Sequence, residues 1–195
     1  MRARITGWIL CLSFVGYGVQ AQSGIQQWDN HILEHIASTR TPGQTEVFRF
    51  ISDANNYVNV GIPAGLLVAG WIRNDEPMRQ NALYIASSSA VTALVNYLIK
   101  QWVKRPRPFL VDIHLVPVYK PGGYSFPSGH TSLSFSTATA LSRAYPKWYV
   151  IAPSMLWAST VAYSRMYLGV HNPSDIIGGA LLGAGTAFSM RFIRP

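Results

Sequence analysis

Long stretches without any charged side chain, separated by short charged joints, make up most of the chain after Asp53. Residues 54–72, 80–99, 148–164 and 176–190 contain no Lys, Arg, Asp or Glu, and neither do residues 121–142, which begin as a loop. The two stretches of 19 and 20 residues nearly match a hydrocarbon core of about 30 Å, whereas the shorter ones fall short of it. The pattern predicts an all-α, membrane-embedded helical bundle with about five core helices plus an N-terminal signal or first span. Buried helices of a soluble all-α domain are the alternative.

The composition agrees with this prediction. Only 12% of the residues are charged, about half the usual share of soluble domains. The formal net charge is +8, and after Glu76 the only acidic residues are Asp112 and Asp175. The chain has no long basic run and no nucleic-acid motif, so we predict no nucleic-acid partner. An anionic membrane and an anionic substrate account better for the charge.

The N-terminus has the pattern of an export signal. Arg2 and Arg4 precede the apolar run 5–15, and residues 19–21 form a small-residue cleavage site. A retained first membrane span is the alternative. The only cysteine, Cys11, lies in this segment, so a cleaved product would have no disulfide. We predict three parts: 1–21 as signal or first span, 22–56 as an amphipathic segment, and 57–195 as the main helical domain.

The segment after residue 24 has apolar residues at helical spacing. They predict an amphipathic helix lying on the membrane or on the domain: Ile25, Trp28, Ile32 and Ile36. Residues 41–43 should break this helix, and residues 46–52 should form a short amphipathic segment. His31 and His35 match a zinc-peptidase pattern, but the sequence offers no third ligand, so we predict no metal there.

The distribution of basic residues predicts the topology. If the chain starts in the cytoplasm, successive spans place three basic pairs inside, as the positive-inside rule prefers: Arg73 with Arg79, Arg143 with Lys147, and Arg191 with Arg194. The same order brings residues 100–108, 128–130 and 165–171 together at the outer face. The spacing of Gly179 and Gly183 also predicts close packing of the last helix against a neighbour.

Three short motifs hold the chemically active side chains. Lys100 opens a K-x(6)-R-P pattern, residues 124–131 read Tyr-Ser-Phe-Pro-Ser-Gly-His-Thr, and Ser164 opens an S-R-x(5)-H-x(3)-D pattern. In the middle motif, a proline suited to the first turn of a helix precedes a hydroxyl, a glycine and a histidine that can move a proton near neutral pH. A helix N-terminus with these parts suits a phosphate group.

In this order, the three motifs resemble the signature of the type 2 phosphatidic acid phosphatase superfamily. That superfamily includes membrane lipid phosphatases, secreted bacterial acid phosphatases and vanadium haloperoxidases. Every signature position between Lys100 and Asp175 holds the expected residue. The first 55 residues contribute little to the resemblance.

The resemblance implies a role for each matching residue. His171 would attack phosphorus to give a phosphohistidine, Asp175 would orient His171, and His130 would protonate the leaving group. The phosphate-binding residues would be Lys100, Arg107, Ser128, Gly129 and Arg165. The implied mechanism uses no metal or other cofactor, and the sequence has no carboxylate cluster of the two-metal kind.

Local sequence also predicts how some of these residues are held. Asn172 should cap a helix that begins at Pro173 and carries Asp175 at its third position. Lys104 and Arg105 lie outside the signature, and we predict that they are surface or lipid-headgroup contacts.

We therefore predict a membrane phosphatase that hydrolyses a lipid phosphomonoester or diphosphate, in a bacterial inner membrane with its active site facing the periplasm or the cell exterior. Undecaprenyl diphosphate, phosphatidylglycerophosphate and lipid A are the candidate substrates. A soluble secreted acid phosphatase and a lipid phosphotransferase are the alternatives within the superfamily. A non-catalytic membrane-binding or transport protein is the alternative of another class. The sequence carries no signal for an oligomeric state.

Overall fold

The computed structural model describes residues 24–112 and 114–193, and these ranges contain helices and no strand. The predictions for the segment 1–21, including Cys11, lie outside the described residues, as does Arg194. The helices in chain order are α1 (24–38), α2 (Pro42–Ile72), α3 (Glu76–Val103), the single turn α4 (Pro108–Val111), α5 (Gly129–Ala144), α6 (Trp148–Tyr167), α7 (Pro173–Ser189) and a final 3₁₀ turn (Met190–Ile193). The all-α prediction with about five core helices is confirmed by α2, α3, α5, α6 and α7.

Helix α2 is longer than the charge pattern predicted. The sequence placed a short segment at 46–52 before a separate stretch at 54–72, but the structure has one helix of 31 residues. Arg49 and Asp53 lie one turn apart on its surface, with Nε and Oδ2 separated by 4.0 Å. Exposed charges that face each other in this way do not interrupt a helix. The predicted boundary between residues 56 and 57 lies within α2.

Small residues allow the last helix to pack closely against α5. A Cβ atom on Gly179 would lie 2.9 Å from the carbonyl oxygen of Ser128, and one on Gly183 would overlap the carbonyl oxygen of Ser132. Any side chain at these two positions would therefore push the helices apart. The predicted close packing at the two glycines is confirmed.

The distribution of polar residues in the bundle is the reverse of that in a water-soluble domain. Helix α5 buries a face of hydroxyl side chains: Thr131, Ser132, Ser134, Ser136, Thr137, Thr139 and Ser142. Large apolar side chains are exposed on the outside of several helices, including Trp71, Leu94, Trp102, Leu156 and Leu181. Some of these hydroxyls bond to hydroxyls of α3, as between Thr92 and Ser136 at 2.9 Å, and others donate to carbonyl oxygens three or four residues earlier in the chain. The interior is therefore held partly by polar contacts, and the outside is apolar.

The long helices alternate in direction, so the motif residues lie at one end. Lys100 is in the last turn of α3 and Arg165 in the last turn of α6, whereas His130 opens α5 and Asp175 opens α7. The connections after α2 and α5, with their basic residues, lie at the other ends of these helices. Helix α1 lies at the motif end, where Asp29 contacts Ser174 in the first turn of α7.

Candidate active site

The start of α7 holds Asp175 in a fixed position. Asn172 caps the helix and Pro173 is its first residue, as the sequence predicted. The carboxylate of Asp175 returns to the backbone N–H of Asn172, with Oδ2 accepting at 2.8 Å. This contact of the Asp175 carboxylate with the N-cap backbone leaves Oδ2 at 3.6 Å from Nδ1 of His171.

His171 is almost fully buried, with 3% of its surface exposed. Its Nε2 lies 3.4 Å from Nη1 of Arg107. Because a guanidinium only donates, this contact requires a lone pair on Nε2, and the ring proton then belongs on Nδ1, toward Asp175. Burial lowers the pKa of His171 to about 3, against the opposing effect of its contact with Asp175. The imidazole is therefore neutral near pH 7, with an unprotonated Nε2 that faces Arg107.

Hydrogen bonds to backbone carbonyls hold the side chain of Arg107 in place. Its guanidinium donates to Gly122 O at 2.8 Å, to Gly123 O at 3.1 Å and to Val170 O at 2.9 Å. This cation is therefore fixed beside His171 without a carboxylate of its own.

Two further cations face the same region. Lys100 Nζ donates to the carbonyl oxygens of Tyr124 at 2.7 Å and Ser125 at 3.2 Å. Arg165 is buried and donates through Nη1 to Tyr119 Oη at 2.7 Å, and also to Ser52 Oγ. Within residues 24–112 and 114–193, none of Lys100, Arg107 and Arg165 forms an ion pair with a carboxylate. Three buried or half-buried cations that lack a protein counter-ion form an anion site.

The turn before α5 differs slightly from the sequence prediction. Pro127 precedes the capping residue, because Ser128 has extended dihedral angles and the helix begins at Gly129. The N–H of Ser128 is already bound to the carbonyl oxygen of Asp175 at 3.1 Å. A Cβ on Gly129 would meet only the side chain of Asn96, at 3.7 Å. Packing therefore does not require glycine at position 129, and a close ligand approach explains it better.

His130 is half-buried in the first turn of α5, and its carbonyl oxygen accepts from the side chains of Asn55 and Ser134. Its ring has no hydrogen-bond partner among the described residues. Four of the other predicted site residues lie close enough to act on its charge: Lys100, Arg107, Arg165 and His171. The structure therefore brings the predicted site residues of all three motifs to one place.

The structure also shows site residues that the motifs did not identify. Ser125 Oγ donates to Asp175 Oδ2 and lies 3.5 Å from Nδ1 of His171. Its position inside the stretch 124–131 was the only available signal. Tyr119 and Ser52, which hold Arg165, left no signal, because they are 46 and 113 residues away from it.

Arg105 corrects another prediction. It was predicted to be a surface or headgroup contact, but its guanidinium donates to Asp175 Oδ1 at 2.8 Å and to Asp29 Oδ2 at 2.7 Å. Asp29 lies among the polar residues between the regularly spaced apolar positions of α1, yet it is fully buried. Lys104 is exposed, as predicted.

No group of three or more His, Cys, Asp or Glu side chains in the described part of the chain is placed to hold a metal ion. His31 and His35, which match the zinc-peptidase pattern, are both exposed on α1.

The site and fold match a known family. The family model of the PAP2 superfamily matches residues 81–194, a range that includes all eight predicted site residues and more than half of the chain. The chain therefore belongs to the PAP2 superfamily, and the resemblance inferred from the three motifs is confirmed.

Named relatives and a solved structure support this assignment. A lipid A 4'-phosphatase from Bacteroides thetaiotaomicron is 36% identical over 106 residues, covering 51% of this chain and 47% of that protein. An undecaprenyl-diphosphatase from Sulfolobus acidocaldarius is 34% identical over 111 residues, covering 56% of this chain and 53% of that protein. The chain thus spans about half the length of these curated relatives. The crystal structure of a transmembrane PAP2 type phosphatidylglycerolphosphate phosphatase from Bacillus subtilis superposes with a TM-score of 0.72, at 25% identity and over 92% of each chain.

Proposed function

We propose that the protein is a membrane phosphatase that hydrolyses a lipid phosphomonoester or diphosphate through a phosphohistidine, without a metal cofactor. One observation carries this proposal. Lys100, Arg107 and Arg165 converge without a carboxylate partner beside the buried imidazole of His171. Such a site supplies positive charge for an anionic phosphate and a neutral nucleophile next to it.

The proposed reaction has two steps. In the first, Nε2 of His171 attacks phosphorus, the bond to the leaving oxygen breaks, and His130 gives that oxygen a proton. Asp175 stabilises the charge that forms on the His171 ring, since its carboxylate faces Nδ1. A bound phosphate beside His130 favours its protonated form before this step. In the second step, water attacks the phosphohistidine, His130 takes a proton from the water, and inorganic phosphate leaves.

The exposed apolar surface supports a membrane location. Glu76–Val111 and Pro173–Ile193 are long and apolar enough to cross a bilayer by length and composition. The large apolar side chains outside and the hydroxyls inside fit a bundle whose solvent is lipid. The similar Bacillus subtilis enzyme is described as transmembrane.

An apolar groove along α5 supports a lipid substrate. The groove has a volume of about 450 Å³ and lies along α5, between α2 and α6. Its lining on α5 runs from Ser134, one helical turn after His130, to Leu141, and none of the eight predicted site residues lines it. A hydrocarbon chain in this groove would have its phosphate beside His130. Hydrolysis at the membrane edge also leaves the tails in the bilayer, which avoids about 0.8 kcal/mol for each CH₂ exposed to water.

We further propose a bacterial inner-membrane location with the site facing the periplasm or the cell exterior. Arg73, Arg143 and Lys147 lie in or beside connections away from the motif end, which the positive-inside rule places in the cytoplasm. Residues 57–195 would form the catalytic domain and residues 22–56 an amphipathic N-terminal segment. The first part of that segment, α1, contacts the site.

A phosphate-release panel tests the proposed function. The full chain in detergent would be assayed in excess chelator with lipid A, undecaprenyl diphosphate and phosphatidylglycerophosphate. We expect one of these lipids to release phosphate at an undiminished rate in chelator, and we expect vanadate to inhibit, because it mimics five-coordinate phosphorus. The proposal fails if no lipid releases phosphate or if turnover requires a divalent ion. Equal rates on short-chain, water-soluble esters and release of the protein from membranes by salt alone would favour a soluble acid phosphatase.

A further inference from the structure

The side chain of Arg105 connects helix α1 to the carboxylate that faces His171. One guanidinium nitrogen, Nη1, donates to Asp175 Oδ1 at 2.8 Å, and the other, Nη2, donates to Asp29 Oδ2 at 2.7 Å. Nη2 also donates to the side chain of Gln26, at 2.8 Å. Asp29 and Arg105 are 76 residues apart, so the connection exists only in the folded protein.

Asp29 also holds the first turn of α7 directly. Its Oδ1 accepts from the backbone N–H of Ser174 at 2.8 Å, and its Oδ2 accepts from the Ser174 hydroxyl. That N–H is among those at a helix start that have no partner within the helix. A carboxylate at this position is also stabilised by the helix dipole. Asp29 therefore caps α7 from outside, one residue before Asp175.

The charges in this cluster depend on one another. Asp29 and Asp175 are both fully buried, and within residues 24–112 and 114–193 Arg105 is the one Lys or Arg that forms an ion pair with either of them. Burial of a carboxylate is unfavourable unless an opposite charge or several donors face it. Arg105 thus favours the ionised form of Asp175, which is the form that accepts the Nδ1 proton of His171. In the described part of the chain, neither Arg105 nor Asp29 forms a hydrogen bond with His171. Arg105 bonds to Asp175, and Asp29 bonds to Arg105 and to Ser174.

We propose that Arg105 and Asp29 are positioning residues, which fix the carboxylate of Asp175 and the start of α7 so that His171 keeps its reactive tautomer. Helix α1 then contributes to the geometry of the catalytic centre through Asp29. The kinetic part of this inference rests on the proposed phosphatase function, whereas its structural part does not.

The test uses single substitutions in the full chain with matched controls. Asp29→Asn removes the negative charge and keeps the size of the side chain. Arg105→Met removes the guanidinium group, and Arg105→Lys restores the positive charge without the paired donors of a guanidinium. Glu34→Gln changes an exposed acid on the same helix, and Lys104→Met changes the exposed cation next to Arg105. The measurements are kcat and KM for p-nitrophenyl phosphate and for the best lipid of the panel, together with the ¹⁵N shifts of the His171 ring.

We expect Asp29→Asn and Arg105→Met to lower kcat by about 10- to 100-fold, since displacement of a reacting group by about 1 Å has effects of this size. KM should change by less than about threefold, because the phosphate-binding cations are untouched. Arg105→Lys should recover part of the loss, and both controls should behave like the wild type. The ring nitrogen shifts should show a loss of the Nδ1–H tautomer in the two variants.

A double-mutant cycle separates positioning from a general structural role. If Asp29 acts through Asp175, then Asp29→Asn should have almost no further effect on kcat in an Asp175→Asn background. Additive losses, or unchanged His171 ring shifts in folded Asp29→Asn and Arg105→Met proteins, would overturn the inference. If the wild type had no phosphatase activity at all, the proposed function would fail, and the ring shifts alone would still decide this structural question.

Discussion

Nη1 of Arg107 lies 3.4 Å from Nε2 of His171, so a positively charged guanidinium directly faces the nitrogen proposed as nucleophile. Burial keeps this imidazole neutral, and the nearby arginine adds a smaller effect in the same direction, because a cation repels an added proton. When a phosphate enters between the two groups, the same arginine can donate to its oxygens while Nε2 faces phosphorus. In the proposed mechanism, Arg107 would thus both favour the neutral form of His171 and bind the phosphate that His171 attacks.

Removal of the nucleophile is the most direct test of the proposed chemistry. We expect His171→Ala to abolish turnover and any acid-labile phosphoenzyme, because no other imidazole faces Asp175. The matched control is His114→Ala, which changes an exposed histidine outside the site. The measurement is phosphate release combined with trapping of labelled phosphate on the protein. A labelled phosphoenzyme in the His171→Ala variant would contradict the assignment.

His130→Ala should affect substrates according to their leaving groups. A general acid matters most when the leaving oxygen is basic, and its assistance is typically worth about 10²–10⁴-fold. We therefore expect a loss in this range for an alkyl or lipid phosphate and a much smaller one for p-nitrophenyl phosphate. The two rates are compared in the same detergent at the same pH. Equal losses for both substrates would remove His130 from the acid role.

The pH dependence of His171 follows from its burial. Burial lowers the pKa of His171 to about 3, whereas an unfolded chain takes up this proton near pH 6.5. The native protein therefore binds fewer protons in this window, and its stability should decrease as the pH falls from about 6.5 toward 3. In the phosphate-free protein, the His171 ring nitrogens should keep neutral ¹⁵N shifts down to pH 5. An imidazolium signal at pH 6 would contradict this prediction.

The apolar groove should determine preference for chain length. Val58→Trp places a large side chain in the groove that begins at Ser134, and Ala64→Trp places the same side chain in a second apolar groove between α2 and α3. Loss of a few buried CH₂ groups at about 0.8 kcal/mol each corresponds to a decrease of 10-fold or more in kcat/KM. We expect this decrease for long-chain lipids with Val58→Trp only, and no change for p-nitrophenyl phosphate. Equal effects of the two variants would contradict a tail site in the first groove.

The sequence was sufficient to predict the helices and the motif residues, for two separate reasons. The uncharged stretches predicted α3, α6 and α7 to within a few residues, because the interior and the exterior of this bundle both exclude charge. The eight site residues were identified by their spacing, which the family signature fixes. The cap at Asn172 was also predictable, because it depends only on the next three residues.

The remaining site residues could not be predicted, because their roles depend on tertiary contacts. Asp29 is in a polar position of an amphipathic helix, and only the contact with Ser174, 145 residues away, shows why it is buried. Arg105 is adjacent to an exposed lysine in a basic joint, so composition alone predicts a surface residue. The length of α2 was missed because a charge cluster resembles a boundary until its two members are seen to lie one turn apart.

The glycine contact between α5 and α7 has a consequence for the distance between the proposed acid and the proposed nucleophile. Gly183 lies eight residues after Asp175, about 12 Å along α7, and its backbone touches that of Ser132. Because the two helices meet there without side chains between them, they cannot come closer without deforming a backbone. Gly183 thus sets the minimum separation between the start of α5, with His130, and the start of α7, with Asp175 beside the proposed nucleophile His171. An alanine at position 183 would increase the distance between α5 and α7. The separation between the proposed proton donor His130 and the proposed nucleophile His171 therefore depends on a residue two helical turns after Asp175.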